Sequence, residues 1–324
     1  MSGLKRSSRD MLVRRLKGEG FKFSEFSVVS EGDYAIQDSD WNYKDIPHLH
    51  YVHSLAEAMP AVIARDLICT INLQSILGVW FPITLVNYEF ERFRQVYFTT
   101  LFFFALVVET RSEPAGEIRA RVTTTYSIGY PGWLWFAVPL LRRLIKRNYA
   151  VLMSEDLPMR DRRGDLRKLG YRFRMRDETY GFSDTINVME SNLLLPVDAV
   201  RRVACRYMDV LGDSGQGFFG DIGLLGYRLY REGSDVVIFP RACPHEGAGL
   251  DDMDCSAGSV RCYWHGRRIK AIGRFKMGED ADFATATHRV HVAGGELTID
   301  YLGPGPEAAM APNPEGDLAG SPAG

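Results

Sequence analysis

Hydrophobic and polar positions change period along this chain, and the change predicts where sheet gives way to helix. From Asp66 to Ser127 runs a series of apolar, β-branched and aromatic segments, LICTINLQSILGVWFPITLVNYEFERFRQVYFTTLFFFALVVETRS and then EIRARVTTTYSIG. Glu117 to Thr125 alternates with a period of two, as a half-buried antiparallel strand does. Ser112 to Gly116 (SEPAG) is expected as a turn, so the region reads as a curved antiparallel sheet. Beyond Gly132 the period lengthens. Leu141, Leu144, Ile145, Asn148, Leu152 and the Glu155-Asp156 pair recur every three or four residues, with Arg142, Arg143, Lys146 and Arg147 on the other side. This predicts a long amphipathic helix that ends or kinks at Pro158.

The rest divides by composition. Residues 1–25 are basic and sparse in apolar side chains, and are expected as a mobile arm. Residues 161–192 are heavily charged and read as a linker between domains. From Leu193, short strands around Val203 to Tyr207, Gly226 to Tyr230, Asp235 to Phe239, Val290 to Val292 and Glu296 to Tyr301 predict a small all-β domain spanning 193–303. Residues 304–324, rich in Pro, Gly and Ala, are expected to be disordered. The chain is thus α+β. Its first domain, 26–160, is a sheet over one long helix enclosing a cavity, and resembles the START-like helix-grip domain.

With 324 residues, 46% of them hydrophobic, and a formal net charge of −2, the chain can bury a core in each domain, and no charge balance points to nucleic acid. The N-terminus lacks the apolar core of a signal peptide. Val96 to Val108 and Trp133 to Leu141 fall short of the ~20 residues that span a bilayer. Of five cysteines, Cys69, Cys205 and Cys255 are an odd set at irregular spacing, as in a reducing compartment. A cytoplasmic location is expected.

The other two cysteines carry the chemistry. Cys243-Pro244-His245-Glu246-Gly247 and Cys262-Tyr263-Trp264-His265-Gly266 each offer one thiolate and one imidazole, with sixteen residues between His245 and Cys262. Two soft and two borderline ligands suit tetrahedral zinc or an iron–sulfur cluster. The following glycines let backbone N–H groups crowd inorganic sulfide, which favours the cluster. The loops resemble a Rieske [2Fe–2S] site, in which Cys243 and Cys262 would hold one iron and His245 and His265 the other. High-potential Rieske proteins add a Cys to each loop; Ala248 and Trp264 stand there instead, and Trp264 resembles the oxygenase and ferredoxin branch.

A second cluster of ligands lies in Asn42 to His53, where Asn42, Asp45, His48 and His53 are spaced Asn-x-x-Asp-x-x-His-x-x-x-x-His and three of the seven histidines fall within six residues. Two His with a later carboxylate make a facial triad, which leaves positions open on Fe(II). His48 and His53 are five apart, about 140° around a regular helix, and can converge only if the helix is irregular; Pro47 makes that plausible. Asp156 is the best candidate for the carboxylate, with Glu155 and Asp161 as alternates. His50 reads as structural or pocket-lining.

The spacing Asp45, His48, His53 resembles that of Rieske mononuclear-iron oxygenases. The resemblance implies a terminal oxygenase component that takes electrons from an external ferredoxin or NAD(P)H-dependent reductase, since no Gly-rich dinucleotide fingerprint is present. It would use O2 to oxidise a hydrophobic substrate (sterol, aromatic or polyketide-like), as a mono- or dioxygenase, at Fe(2+). It also implies an electron bridge from His265 through Asp45 to His48 and a homo-oligomer, a trimer by analogy; Asn42, from the spacing, is a further catalytic candidate. The domain order is permuted, because family members place the cluster domain first. Tyr88, Phe90, Phe93, Tyr97, Phe98 and Phe102 to Phe104 supply aromatic surface, mostly for core and in part for a pocket. The run GWLWFAVPLLRRLIKR is read either as part of the core helix or as peripheral membrane contact. A START-like ligand carrier fused to a Rieske ferredoxin is the competing reading.

Overall fold

A computed structural model describes residues 8–76, 78–173, 181–183, 192–196, 201–220, 226–256 and 258–303. The chain forms two compact units. One comprises Met1–Lys168, Met175–Glu190 and Arg261–Arg268; the other comprises Leu169–Arg174, Ser191–Val260 and Ile269–Gly324.

The first unit is built on a seven-stranded antiparallel sheet. Its strands are β1 (Lys22–Gly32), β2 (Ala56–Ile63), β3 (Leu67–Ile76), β4 (Val79–Glu91), β5 (Arg94–Leu101), β6 (Phe104–Gly116) and β7 (Arg119–Tyr130), in the order β1-β7-β6-β5-β4-β3-β2. The helices are α1 (Ser8–Gly18), α2 (Ile36–Lys44), α3 (Leu49–Val52) and α4 (Val138–Lys168). Side chains alternate across the sheet. On β5, Gln95, Tyr97, Thr99 and Leu101 belong to a face opposite Val96 and Phe98; the first set, Gln95 excepted, lines a cavity beneath α4. The sheet wraps one long helix over a cavity, the helix-grip arrangement expected from the sequence.

Val96 and Phe98 explain why the N-terminal arm is not one. With Val107 they make the second face of the sheet apolar, and α1 covers it by packing Val13, Leu12 and Leu16 there. An uncovered apolar face would stay in water, so the segment folds onto it. Residues 1–7 lie outside the described residues.

Three further expectations are corrected. The SEPAG segment continues β6 to Gly116, with a register irregularity between Pro114 and Gly116 that accommodates the proline; the chain reverses after it. Of the two outcomes expected at Pro158, an end or a kink, the end does not occur: α4 runs through it to Lys168. The turn beyond Pro158 is held from outside: Asp38 of α2 accepts from Arg163 Nε at 2.9 Å and Arg167 Nε at 2.8 Å. Gly164 lets α4 press against α2's approach, since a Cβ there would lie 1.9 Å from the Asp33 carbonyl oxygen. The charged segment 161–192 therefore begins as helix. It also supplies the fully buried Phe182, packed with Ile46 and Ile68; residues 174–180 and 184–191 lie outside the described residues.

The second unit is all β. One four-stranded antiparallel sheet is ordered Arg202–Arg206, Glu296–Tyr301, His288–Ala293, Ala281–Ala284. The other is ordered Gln216–Phe219, Tyr227–Glu232, Asp235–Pro240, Gly273–Lys276. Burial follows period two along His288–Ala293 and Glu296–Tyr301. The inward residues Val290, Val292, Leu297 and Ile299 join Leu229, Val236, Ile238 and Phe275 in one core. The tail 304–324 lies outside the described residues.

Candidate metal centre and cavity

Helix α2 stops at Asp45, whose φ of −77° and ψ of 75° leave the helical region. A single 3-10 turn, Ile46–His48, with Pro47 in it, leads into α3, and His53 departs in an extended conformation, φ −88° and ψ 131°. This broken path cancels the 140° that a regular helix would put between the two rings. His48 Nε2 and His53 Nε2 stand 3.1 Å apart. Asp156 Oδ1, arriving from α4, lies 3.3 Å from the first and 3.2 Å from the second.

The triangle has nearly equal sides. Three ligands about 2.1 Å from a metal stand about 3.0 Å apart when mutually perpendicular and about 3.4 Å apart when tetrahedral, so the observed edges fall between the two. The outer ring atoms fix the tautomers. His48 Nδ1 donates to the Asp45 carbonyl, and His53 Nδ1 donates to Glu155 Oε2 at 2.8 Å. Carbonyl and carboxylate only accept, so both Nδ1 atoms carry the protons and both Nε2 lone pairs face Asp156. Three acceptors converging in a buried space call for a cation. Burial opposes charge on His48, but the hydrogen bonds to Asp156 and Asp45 outweigh it and raise its pKa to about 10, so a metal bound at the triangle would take the place of a proton on Nε2. The residues present fit a divalent metal.

Further groups hold this triangle. Asn42 Oδ1 accepts from Arg160 Nε at 2.9 Å and Nη2 at 2.6 Å, so its amide nitrogen faces Asp156 Oδ1, at 3.2 Å. Burial would raise the Asp156 pKa, yet the imidazole hydrogen bonds and the Arg160 charge hold it far below the usual range. Glu155 also accepts from Ser54 N and Oγ; it orients His53 and stands outside the triangle. Asp161 lies beside Gly32, away from both His. His50 is exposed, edge-on to Tyr51 at 4.7 Å, and does not line the cavity. Arg160 was not singled out from sequence, although it follows Asp156 by one helical turn.

A cavity of about 330 Å³ opens from this triangle. Leu141, Leu144, Ile145, Asn148, Leu152 and Asp156 line it along one face of α4, which is the face the sequence periodicity gives. Of the aromatic candidates, Tyr97 and Phe104 reach it. Its wall also carries Asn87, whose orientation is set at a distance. Lys44 Nζ binds Asp40 at 2.7 Å, the Asp40 carboxylate takes the Gln95 amide nitrogen at 3.2 Å, and Gln95 Oε1 then takes Asn87 Nδ2 at 3.0 Å. The acceptor-only Asp40 carboxylate orients Gln95, and the Gln95 amide oxygen orients Asn87, leaving Asn87 Oδ1 buried without a partner.

Both cluster loops are tightly turned. Cys243 and His245 are buried; Cys243 N–H donates to the Ala248 carbonyl at 2.8 Å, and Gly247 N–H to the Cys243 carbonyl at 2.9 Å, with Gly247 at φ +86°. In the other loop Cys262 N–H donates to the Arg267 carbonyl at 2.8 Å. Gly266, at φ +62°, leaves room for the Tyr51 ring, whose Cε1 would be 2.3 Å from a Cβ. Trp264 is fully buried, 5.8 Å from Trp41 between ring centroids. His265 Nε2 meets Asp45 Oδ2 at 2.7 Å, so Nδ1 is the atom with which this ring would meet iron. The Asp45 carboxylate lies 3.6 Å from His48 Nδ1. It is the backbone carbonyl of Asp45, not the expected carboxylate, that holds that imidazole.

Among the described residues no helix is long and apolar enough to cross a membrane. No curated protein matches the chain. Among solved structures, the ZhuI aromatase/cyclase from Streptomyces sp. R1128 is similar at 10% identity over 44% of this chain and 96% of that one, with a TM-score of 0.40. A START superfamily protein from Mycobacterium smegmatis is similar at 11% identity over 42% and 97%, with a TM-score of 0.34. Dicamba monooxygenase bound to 3,6-dichlorosalicylic acid is similar at 14% identity over 51% and 57%, with a TM-score of 0.36. At such scores these likenesses carry no functional weight. Residues 197–286 match the Rieske [2Fe-2S] domain, and all four Cys and His of the two loops fall within that range. The C-terminal part of this chain is therefore a Rieske domain, which implies a [2Fe–2S] cluster.

Proposed function

We propose that the chain is a Rieske-type oxygenase. In this reading Cys243, His245, Cys262 and His265 hold the cluster, and His48 Nε2, His53 Nε2 and Asp156 Oδ1 hold Fe(II). The observation that carries it is the buried triangle with edges of 3.1 to 3.3 Å, two imidazole lone pairs and a carboxylate, set in the wall of a largely apolar cavity. Bound Fe(II) would supply one-electron chemistry and activation of dioxygen at the positions that three ligands leave open.

The chain's own residues do the rest. Asp45 and Glu155 keep both Nδ1 protons away from the metal side. Asn42 and Arg160 hold the Asp156 carboxylate ionised. Leu141, Leu144, Ile145 and Leu152 exclude water and favour an apolar substrate such as a sterol, an aromatic or a polyketide-like molecule. Among the described residues that line the cavity, the only ionisable groups besides tyrosines are Asp45, His48, His53 and Asp156 themselves, which suits an uncharged substrate. Asp45 joins His265 to His48 and would carry the electron from the cluster ligand to the iron ligand. Electrons come from a separate ferredoxin or reductase.

The cavity would equally serve a ligand carrier fused to an electron-transfer domain. Iron analysis separates the two. Anaerobically purified chain should hold one iron beyond the pair in its cluster, and His48→Ala should lose that iron without bleaching the cluster absorbance. Iron equal to the cluster alone in the unaltered chain would sink the oxygenase reading.

A further inference from the structure

The end of the first unit at which α4 begins leaves an aromatic surface in water. Phe102 and Phe103, the two-residue turn between β5 and β6, are 75% and 62% exposed. Trp133, Trp135 and Phe136, from the 3-10 turn Gly132–Ala137, are 61%, 68% and 62% exposed, and Leu140 of α4 is 59% exposed. They form a connected patch: Phe102 packs edge-on to Phe81 at 5.7 Å, Phe103 to Trp133 at 5.7 Å, and Trp135 to Phe136 at 6.5 Å. Single exposed apolar residues need no account, but a contiguous group on adjacent turns marks an interaction site.

Phe102 makes the point sharper. Its φ is +53°, in the region that favours Gly or Asn, and two-residue hairpin turns ordinarily use those residues. Here the strained position carries a phenyl ring that stays mostly in water, with an edge contact to Phe81. Backbone and side chain are both unfavourable, and nothing in the turn compensates either.

Charge identifies what covers the patch. Lys22 lies against Gly132, and Arg143, Lys146 and Arg147 are exposed on the first turns of α4. Residues 131–153 contain no Asp or Glu. A basic collar around Trp and Phe suits an anionic lipid surface, where the rings sit at headgroup depth and the cations meet phosphates. A second copy of the chain suits it badly, because two-fold pairing would set one basic collar against the other. Leu101, Phe104 and Leu141, immediate neighbours of the patch in sequence, line the cavity. The aromatic end is thus also an end of the cavity.

We propose that this rim docks the protein on an anionic lipid bilayer, with Phe102, Phe103, Trp133, Trp135 and Phe136 inserted and Lys22, Arg143, Lys146 and Arg147 on lipid phosphates. The inference does not depend on the oxygenase reading, because docking requires no iron at the His48 site. The test uses the full chain with its cluster, and vesicles of phosphatidylcholine alone or mixed with phosphatidylserine. Co-sedimentation should be strong with the mixed vesicles and weakened by salt, and tryptophan emission should shift to the blue. Phe102→Gly should weaken binding about tenfold while leaving the melting temperature unchanged or higher, since glycine relieves the turn. Arg143→Glu with Arg147→Glu should abolish the preference for phosphatidylserine. No binding to mixed vesicles, or binding indifferent to Phe102→Gly, would overturn the proposal. So would a dimer in sedimentation velocity that Phe102→Gly dissociates.

Discussion

His53 Nδ1 stands 2.8 Å from Glu155 Oε2, while the neighbouring Asp156 turns its carboxylate to the other nitrogen of the same ring, at 3.2 Å. Adjacent acidic residues thus grip one imidazole from both sides. Only Asp156 would touch a metal; Glu155 fixes the tautomer. Glu155→Gln should therefore leave a site that binds Fe(II) ~10–100-fold more weakly without emptying it at saturating metal. Competition with a chelator, following iron retained beyond the cluster, measures this. Full loss of that iron would make Glu155 a ligand, and no change would remove it from the site.

Asp45 serves two rings with two different groups. Its carboxylate takes His265 and its carbonyl takes His48. Asp45→Asn keeps the carbonyl and so should keep both centres occupied. Loss of the buried negative charge should slow oxidation of the reduced cluster in a single turnover by ~10–100-fold. Stopped-flow absorbance reads this rate, and an unchanged rate would take Asp45 out of the electron path.

Gly164 is where α4 passes the Asp33 carbonyl. A methyl group there must displace backbone, not a flexible side chain. Gly164→Ala is expected to cost ~2–4 kcal/mol, despite alanine's better helix propensity, and to lower iron retention by separating Asn42 from Asp156. A melting temperature equal to that of the unaltered chain would contradict the packing described.

His288, in the second unit, is buried among Tyr227 and Tyr301, and burial lowers its pKa to about 4. An unfolded histidine takes up its proton near pH 6.5, whereas the folded one resists down to about 4. Between those values the unfolded state binds more protons, so stability is full above pH 6.5 and declines as pH falls toward 4, by ~3 kcal/mol in total. Denaturant melts at pH 7 and pH 4.5 should show this decline. His288→Phe should remove it; an identical pH dependence in both proteins would exclude His288 as the cause.

What could be read from sequence was what has a period or a spacing. Leu141, Leu144, Ile145 and Leu152 announced both the helix and the face that lines the cavity, and the alternating strands of the second unit formed where expected. The convergence of His48, His53 and Asp156 was legible as a set of candidates, but their geometry was not, since it depends on a 3-10 turn that spacing alone cannot specify. Helix α1 was missed because its need is nonlocal: Val13 is buried only because Val96 and Val107, some ninety residues on, leave a sheet face bare. That the helix continues past Pro158 was illegible for a similar reason. The local penalty was weighed, but the ion pairs from Asp38 to Arg163 and Arg167 that carry the helix onward come from another element.

Residues Arg261–Arg268 belong by their contacts to the first unit, although the chain reaches them only after most of the second has been built. A polypeptide severed after Lys168 would release its N-terminal portion without Trp264 to meet Trp41, without Gly266 to admit Tyr51, and without His265 to meet Asp45. The first unit therefore cannot be obtained as a finished piece by ending the chain at Lys168. Gene fission there would deliver an N-terminal product that lacks a strip of its own unit.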